Sequence, residues 1–490
     1  MLVIEGKDNM NYRIITKVLG YILLIESLLL VPSFCIGLYT KEGDAIEFGI
    51  TIVITLAIGF LFSRIKIRNM VISIREGLMI VSLSWIFMSA FGALPLYLTE
   101  STPTYINAFF EIVSGFTTTG ATVIPNVEGL SHGILFWRSF THWVGGMGIL
   151  VFSLAILPAL GVGGFQLYKY ESPGPVSSKI VPKLKNTAKI LYTIYLGITI
   201  IEVILLKVGG MSLFEALVYS FGTVGTGGFS TKNISVGAYN STYIHLVIAI
   251  FMTISGVSFS NYYLILQGKV RDLLKDEELR LYLGLQALAV ILIAINLYAS
   301  SYDSLGLSFR DSYFQTSSIM TTTGYSTVDF NKWPTFSKSI LLTLMFVGGC
   351  AGSTAGGMKV IRILILLKMV KREVMKIFHP RAMVPIKVGG KIVPNETVSS
   401  VFSLTAIYMF VFIVSTIFIT LEGIDLESAI SSVSATLNNI GPGLGFVGPL
   451  NTFSGFSQFS IFYFTILMLL GRLEFFTIIA LLVPKKLSKE

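Results

Sequence analysis

A chain that carries run after run of about twenty apolar residues can bury them in only one solvent, the hydrocarbon core of a bilayer about 30 Å thick. Such runs lie at Ile14–Tyr39, Ile46–Phe62, Ile72–Tyr97, Leu135–Leu157, Ile190–Leu206, Tyr243–Leu266, Leu281–Tyr298, Ser337–Leu367, Val401–Leu421 and Phe459–Val483. Only 13% of the 490 residues are charged and 53% are hydrophobic, against about 25% charged in a soluble domain. The sequence therefore describes a polytopic helical membrane protein. The first run has no small-residue cleavage site after it and reads as a span, not a removable signal.

After the first two runs and a basic connector (Arg64, Lys66, Arg68, Arg75), one unit recurs. It consists of an apolar run, a segment too short to span, a Thr/Gly-rich stretch and a second apolar run. The short segments are Tyr105–Phe116, Leu213–Val224, Phe309–Met320 and Leu426–Leu437. At about 1.5 Å per residue none crosses a bilayer. Such half-helices persist at membrane depth only when buried in protein or lining water. The expected fold is all-α, with four parallel pseudo-repeats of span, pore half-helix, filter and span around one central pore, preceded by two extra N-terminal spans. The boundaries read as 1–68 for the N-terminal pair, then 69–170, 171–275, 276–385 and 386–490 for the repeats.

Charge orients the units. The connections between them are basic (Lys179, Lys183, Lys185, Lys189; Lys269, Arg271, Lys275, Arg280; Lys368, Lys371, Lys376, Arg381), as are Lys485, Lys486 and Lys489. The half-helix side carries Glu100, Glu128, Asp303, Asp329, Glu422 and Asp425. The positive-inside rule then puts both termini in the cytoplasm and the Thr/Gly stretches outside. Units that all start and end on one side are parallel, unlike inverted-repeat transporters. The net charge of +9 is explained by orientation and does not indicate nucleic acid. Cys35 and Cys350 read as small buried residues, and the four histidines are too scattered for a metal site.

The Thr/Gly stretches align at one glycine: Thr117, Thr118, Thr119, Gly120; Val224, Gly225, Thr226, Gly227; Thr321, Thr322, Thr323, Gly324; Asn438, Asn439, Ile440, Gly441. Taking an ion out of water costs tens of kcal/mol unless oxygens replace its hydration. Backbone carbonyls do so without adding charge, so the ion can leave as well as enter. Glycine permits the dihedrals that aim successive carbonyls one way, and half-helices turn negative C-terminal ends toward the same point. Four copies around an axis form a cation filter. A single stretch would read equally well as a helix stop.

The segments "FFEIVSGFTTTGATV", "HWVGGMGILVFSLAILP", "GGCAGSTAGGMKV" and "LLGRLEFFT" resemble the Trk/Ktr/HKT superfamily of potassium transporters, and most closely its TrkH-type membrane subunits, which share the extra N-terminal spans. The resemblance covers the whole chain. It implies potassium-selective, channel-like uptake across the cytoplasmic (inner) membrane, with glycine in all four filter segments. Potassium is the ion handled, and the chain itself binds no nucleotide. The implied partners are a second copy of the chain, a cytosolic nucleotide-binding TrkA-type ring and membrane lipid, with no nucleic acid. A sodium-permeable or poorly selective relative is the alternative. An intramembrane enzyme lacks any qualifying catalytic cluster, so the chain is expected not to be an enzyme.

The resemblance also makes "GGCAGSTAGGMK" an intramembrane gate, with Gly348, Gly349, Gly352, Ser353, Thr354, Gly356, Gly357 and Lys359 as its residues. A kink with small-residue packing is the plainer reading, and Lys359 either charges the loop or snorkels to the inner surface. Arg472 belongs near the pore in the family pattern, where it would hinder cations or hold the gate. A structural pair with Glu474 is the alternative. Glu111 on the first half-helix reads as a brace for the filter backbone, and Glu202 as a hydrogen-bonding residue at a packing interface.

Overall fold

The computed structural model describes residues 10–67, 72–148, 184–475 and 477–478. Among them the only strands are the two-residue pair β1 (Lys387–Val388) and β2 (Lys391–Ile392); the remaining regular structure is helical. Six described helices are long and apolar enough to cross a membrane, and a bent pair makes a seventh.

The N-terminal pair is α1 (Tyr12–Leu29), continued by α2 (Val31–Thr40), and α3 (Ala45–Ser63). Glycines bring α1 and α3 together: a β-carbon on Gly20 would lie 2.6 Å from the Ser63 backbone nitrogen. Small residues are what allow such backbone approach in membranes, where no hydrophobic force drives helices together.

Four units of like construction follow. The first has α4 (Ile74–Gly92), prolonged by α5 (Leu94–Leu98), the short α6 (Tyr105–Phe116) and the closing α7 (His132–Gly146). The second has α8 (Leu184–Val208), the short α9 (Leu213–Gly225), a closing pair α10 (Thr242–Ser255) and α11 (Phe259–Leu266), and then α12 (Val270–Leu274). The third has α13 (Glu277–Ser300), the short α14 (Leu305–Met320), the closing α15 (Thr335–Met345), a non-helical stretch at 346–359 and α16 (Val360–Phe378). The fourth has α17 (Asn395–Ile419), the short α18 (Leu426–Leu437) and the closing α19 (Gln458–Arg472).

Local chemistry starts these helices. Thr104, Ser212 and Asp425 cap α6, α9 and α18 through their side chains, and Ser131, Ser241 and Ser457 cap three closing helices. Each such cap satisfies an amide that would otherwise lack a partner.

The closing runs depart from their sequence reading. Continuous spans were expected at Leu135–Leu157, Tyr243–Leu266 and Phe459–Val483, with an interruption only in the third unit. Instead α7 ends at Gly146, the α10–α11 pair bends by 93° and α19 stops at Arg472, while α15 stops at Met345 ahead of the expected interruption. The remainder of the first run, the Lys179–Lys183 connection and the chain beyond 478 lie outside the described residues. The breaks fall where closing helices touch the ends of short ones. A β-carbon on Gly145 would stand 1.8 Å from Phe116 O, on Gly471 2.0 Å from Leu437 O, and on Gly256 2.9 Å from Thr321 Cγ2. Glycine alone allows that contact, and glycine is also a poor helix former. Cys350 is buried as expected, whereas Cys35 is exposed.

Gly145→Ala is expected to lower the thermal unfolding temperature in detergent, with an overpacking cost of about 1–3 kcal/mol. Gly197→Ala on α8, where a methyl meets nothing within 4 Å, should leave it unchanged or raise it.

Candidate functional site

The four short helices end in one backbone motif. Thr118, Thr226, Thr322 and Asn439 have φ of +56°, +57°, +57° and +56°. The amide of the next residue reaches back five positions: Thr119 N to Ser114 O (2.8 Å), Gly227 N to Gly222 O (2.7 Å), Thr323 N to Ser318 O (2.9 Å) and Ile440 N to Ala435 O (2.8 Å). This is a Schellman closure, which normally places glycine at the left-handed position. A β-branched threonine there is strained. The strain identifies equivalent positions without reference to sequence.

That equivalence shifts the second unit by one residue. Two residues after each left-handed position comes a glycine with positive φ: Gly120 (+77°), Gly228 (+82°), Gly324 (+84°) and Gly441 (+95°). Gly228, not Gly227, is the counterpart of Gly120. Val224 is correspondingly a helix residue, level with Phe116 rather than Thr117. Sequence could not choose between adjacent glycines; the dihedrals do.

The segments close a ring. A β-carbon on Gly120 would lie 2.0 Å from Gly227 O, on Gly228 2.1 Å from Thr323 O, on Gly324 2.2 Å from Ile440 O, and on Gly441 2.5 Å from Thr119 O. Each unit's glycine thus abuts the next unit's carbonyl in cyclic order. Among the described residues, no donor hydrogen-bonds to the carbonyls of residues 118–120, 226–228, 322–324 or 439–441. Buried carbonyls are rarely left so. Thr117–Thr119, Thr226, Thr321–Thr323 and Asn438–Ile440 are all at most 1% exposed. The four glycines line one cavity, together with Thr122, Ser230 and Ser326 from the returning chain.

The returning segments are stitched into a belt around the ring. Val127 N donates to Asn233 Oδ1 (2.8 Å), Gly237 N to Ser326 O (3.0 Å), Gly445 N to Asn331 Oδ1 (2.9 Å) and Phe453 N to Thr122 O (2.8 Å). These bonds join units one to two, two to three, three to four and four to one.

Each short helix also braces its own return. Glu111 accepts from Val123 N (3.0 Å), Thr122 Oγ1 (2.9 Å) and Arg138 Nε (2.9 Å). The Arg138 guanidinium stacks 4.1 Å from the Phe229 ring centroid, which favours a buried cation. In the other units Tyr219 Oη meets Ser230 Oγ at 2.7 Å, Ser318 Oγ donates to Tyr325 O at 2.6 Å, and Ser428 Oγ accepts from Phe446 N at 2.8 Å.

His142 links two quarters. Phe229 N donates to its Nε2 (3.2 Å), so Nδ1 carries the proton and donates to Gly115 O (2.7 Å). The imidazole is neutral, with a fixed tautomer. A β-carbon on Gly227 would be 2.2 Å from His142 Cγ, which accounts for glycine at that position.

The stretch at 346–359 packs against the helix ends of all four segments, through its own atoms or through Arg472. Gly357 N donates to Asn438 O (3.1 Å) and Gly356 N to Thr322 Oγ1 (2.6 Å). Thr354 Oγ1 is 3.0 Å from Val224 O and 3.2 Å from Ser255 O. Arg472 Nη1 donates to Thr118 Oγ1 (3.3 Å) and Thr354 O (3.1 Å), and its Nη2 donates to Gly145 O (2.6 Å).

The stretch doubles back on itself, since a β-carbon on Gly348 would be 2.5 Å from Gly356 O and one on Gly349 2.6 Å from Ala355 Cβ. Ser353 Oγ donates to Cys350 O (2.6 Å), and Gly352 O accepts from Phe259 N (2.9 Å). Lys359 does not snorkel: it is 3% exposed and its ammonium donates to Ala355 O. Glu474 forms an ion pair with Arg362. Glu202 is fully buried on α8 and stands outside these contacts.

Sequence reasoning passed over Arg138, His142, Asn233, Asn331 and Glu278. The two histidine nitrogens serve separate quarters, and no spacing rule announces that. Arg138, inside an apolar run, carried the same signal as Arg472.

Spanning helices around a closed ring of open backbone oxygens define a polytopic membrane transport protein. The chain belongs to the TrkH family of cation transport proteins, whose family model matches residues 44–489. The Trk system potassium uptake protein TrkH of Salmonella typhimurium is 40% identical over 480 residues, covering 97% of this chain and 99% of the relative. Its counterpart from Escherichia coli is 39% identical with the same coverage. The crystal structure of the potassium transporter TrkH from Vibrio parahaemolyticus matches with a TM-score of 0.87 at 37% identity, covering 97% of this chain and 99% of that one. The family consists of transporters, which sets the enzyme reading aside.

Arg138→Leu is expected to destabilise the protein by about 3–5 kcal/mol, because it leaves the Glu111 carboxylate buried without its cation. The double variant Glu111→Gln/Arg138→Leu should recover part of that loss in the same unfolding assay.

Proposed function

We propose that the ring is the selectivity filter of a potassium uptake pathway, one quarter coming from each of 69–170, 171–275, 276–385 and 386–490. The observation that carries this reading is the set of buried carbonyls around four glycines that accept no hydrogen bond from described residues. Such oxygens replace the hydration shell of a cation, and the helix C-termini behind them supply partial negative charge. The relatives' description as potassium uptake proteins supports potassium as the ion. The metal-contacting residues in this reading are residues 118–120, 226–228, 322–324 and 439–441, with Gly228 in place of the sequence-derived Val224.

The 346–359 stretch and Arg472 act as the gate. They fill the helix end of the filter, and the arginine puts a fixed positive charge where a cation would emerge. The pathway lies in the cytoplasmic membrane with the filter facing outward, both termini inside, two copies per assembly, and a TrkA-type nucleotide-binding ring as the cytosolic partner that relieves the gate. The basic charge of the connections between units supports this orientation.

Rubidium uptake into proteoliposomes, competed by potassium or sodium, tests the assignment. Wild-type uptake should be displaced by potassium far better than by sodium. Gly120→Ser and Gly228→Ser should each lose that preference, since a side chain there meets the neighbouring carbonyl. Uptake that sodium and potassium displace equally in the wild type would overturn the potassium assignment.

A further inference from the structure

Glu278, in the first turn of α13, is 9% exposed and belongs to neither the ring nor its braces. Its Oε1 accepts from Ala351 N at 2.6 Å and from Ile361 N at 3.1 Å. Ala351 lies inside the gate stretch, and Ile361 lies in the first turn of α16, just after the stretch ends. One carboxylate oxygen therefore ties the middle of the loop to the helix that follows it. Charge-assisted bonds to backbone amides are among the stronger hydrogen bonds. Here one of them also counters the positive N-terminus of α16.

The loop's other fastenings are to parts of the pore. Cys350 N donates to Gly256 O (2.9 Å) at the α10–α11 bend, and Gly357 N donates to Asn438 O. Among the described residues, Glu278 alone brings a side-chain charge from an opening helix to the loop backbone. Its neighbour Glu277 pairs with Lys368 on α16 and accepts from Gly389 N (3.1 Å) in the β1–β2 turn. Adjacent residues thus hold the gate loop and the β1–β2 hairpin.

We propose that Glu278 is a positioning residue that latches the gate loop under the filter, so that releasing its two amide bonds is a step in opening. This rests on the gate reading of residues 346–359. On opening, those amides would donate to water or to another acceptor instead, with no covalent change.

The test uses the full chain in proteoliposomes without the cytosolic partner, in a Cys35→Ser background that leaves Cys350 as the one thiol. Glu278→Ala should raise basal rubidium uptake at least about tenfold, equivalent to 1.4 kcal/mol in the closed-to-open balance. It should also speed labelling of Cys350, now 1% exposed, by a membrane-permeant maleimide. Glu278→Gln, whose side-chain carbonyl still accepts both amides but without the charge, should fall between wild type and Glu278→Ala in both readouts. Glu278→Asp keeps the charge but withdraws it by about 1.5 Å and should fall between, which covers the case of an alanine variant that does not fold. Unchanged uptake and labelling in Glu278→Ala and Glu278→Asp, with Arg472→Ala leaking, would overturn the latch and leave the gate reading standing. If Arg472→Ala does not leak either, the gate reading fails and the latch fails with it.

Discussion

Four carbonyl oxygens, each so close to the preceding unit's glycine that a β-carbon there would lie 2.0–2.5 Å away, set the terms for everything else in this fold. Oxygens carry like partial charges and repel when they converge, so the ring does not hold itself together. Its backbone is strained as well. A left-handed dihedral on an L-residue costs about 1–2 kcal/mol, and the chain accepts it at Thr118, Thr226, Thr322 and Asn439. The backward amide bond at the end of each short helix fixes that dihedral. The belt of bonds between returning segments then keeps the quarters from separating. Strain of this kind persists only where surrounding structure over-determines it.

The four quarters meet one geometric demand with different chemistry. The first uses a buried Glu111–Arg138 pair, the second a tyrosine, the third and fourth serines. His142 and Asn439 cross between quarters, the latter donating to Thr119 Oγ1 (2.9 Å) and Met468 O (2.9 Å). A chain that carries all four quarters can specialise each, which identical subunits cannot do. Residues 346–359 and Arg472 use that freedom. The third unit carries the glycine-rich loop, and the fourth places Arg472 beside it.

Much of this was legible in the sequence because membrane solvation is unforgiving. The short helices α6 and α18 have the limits that hydropathy and length set for them, Tyr105–Phe116 and Leu426–Leu437. The internal repeat brought the threonines and glycines into alignment, and the family resemblance singled out the loop. Two features were not legible. The register of the second Thr/Gly segment hangs on Gly227 and Gly228 side by side, and composition does not rank them. The breaks in α7, α10–α11 and α19 fall at contacts with short helices distant in sequence, while the runs of apolar residues continue past them. Long-range partners such as Ala351 for Glu278 leave no local pattern.

The most direct measurement is a structure of the protein in rubidium, with anomalous scattering used to locate the ion. The account predicts density on the axis of the ring, bounded by the carbonyls of Thr119, Gly227, Thr323 and Ile440 and weakened when sodium replaces rubidium. Density confined to other sites, or a ring that holds sodium and rubidium alike, would contradict it.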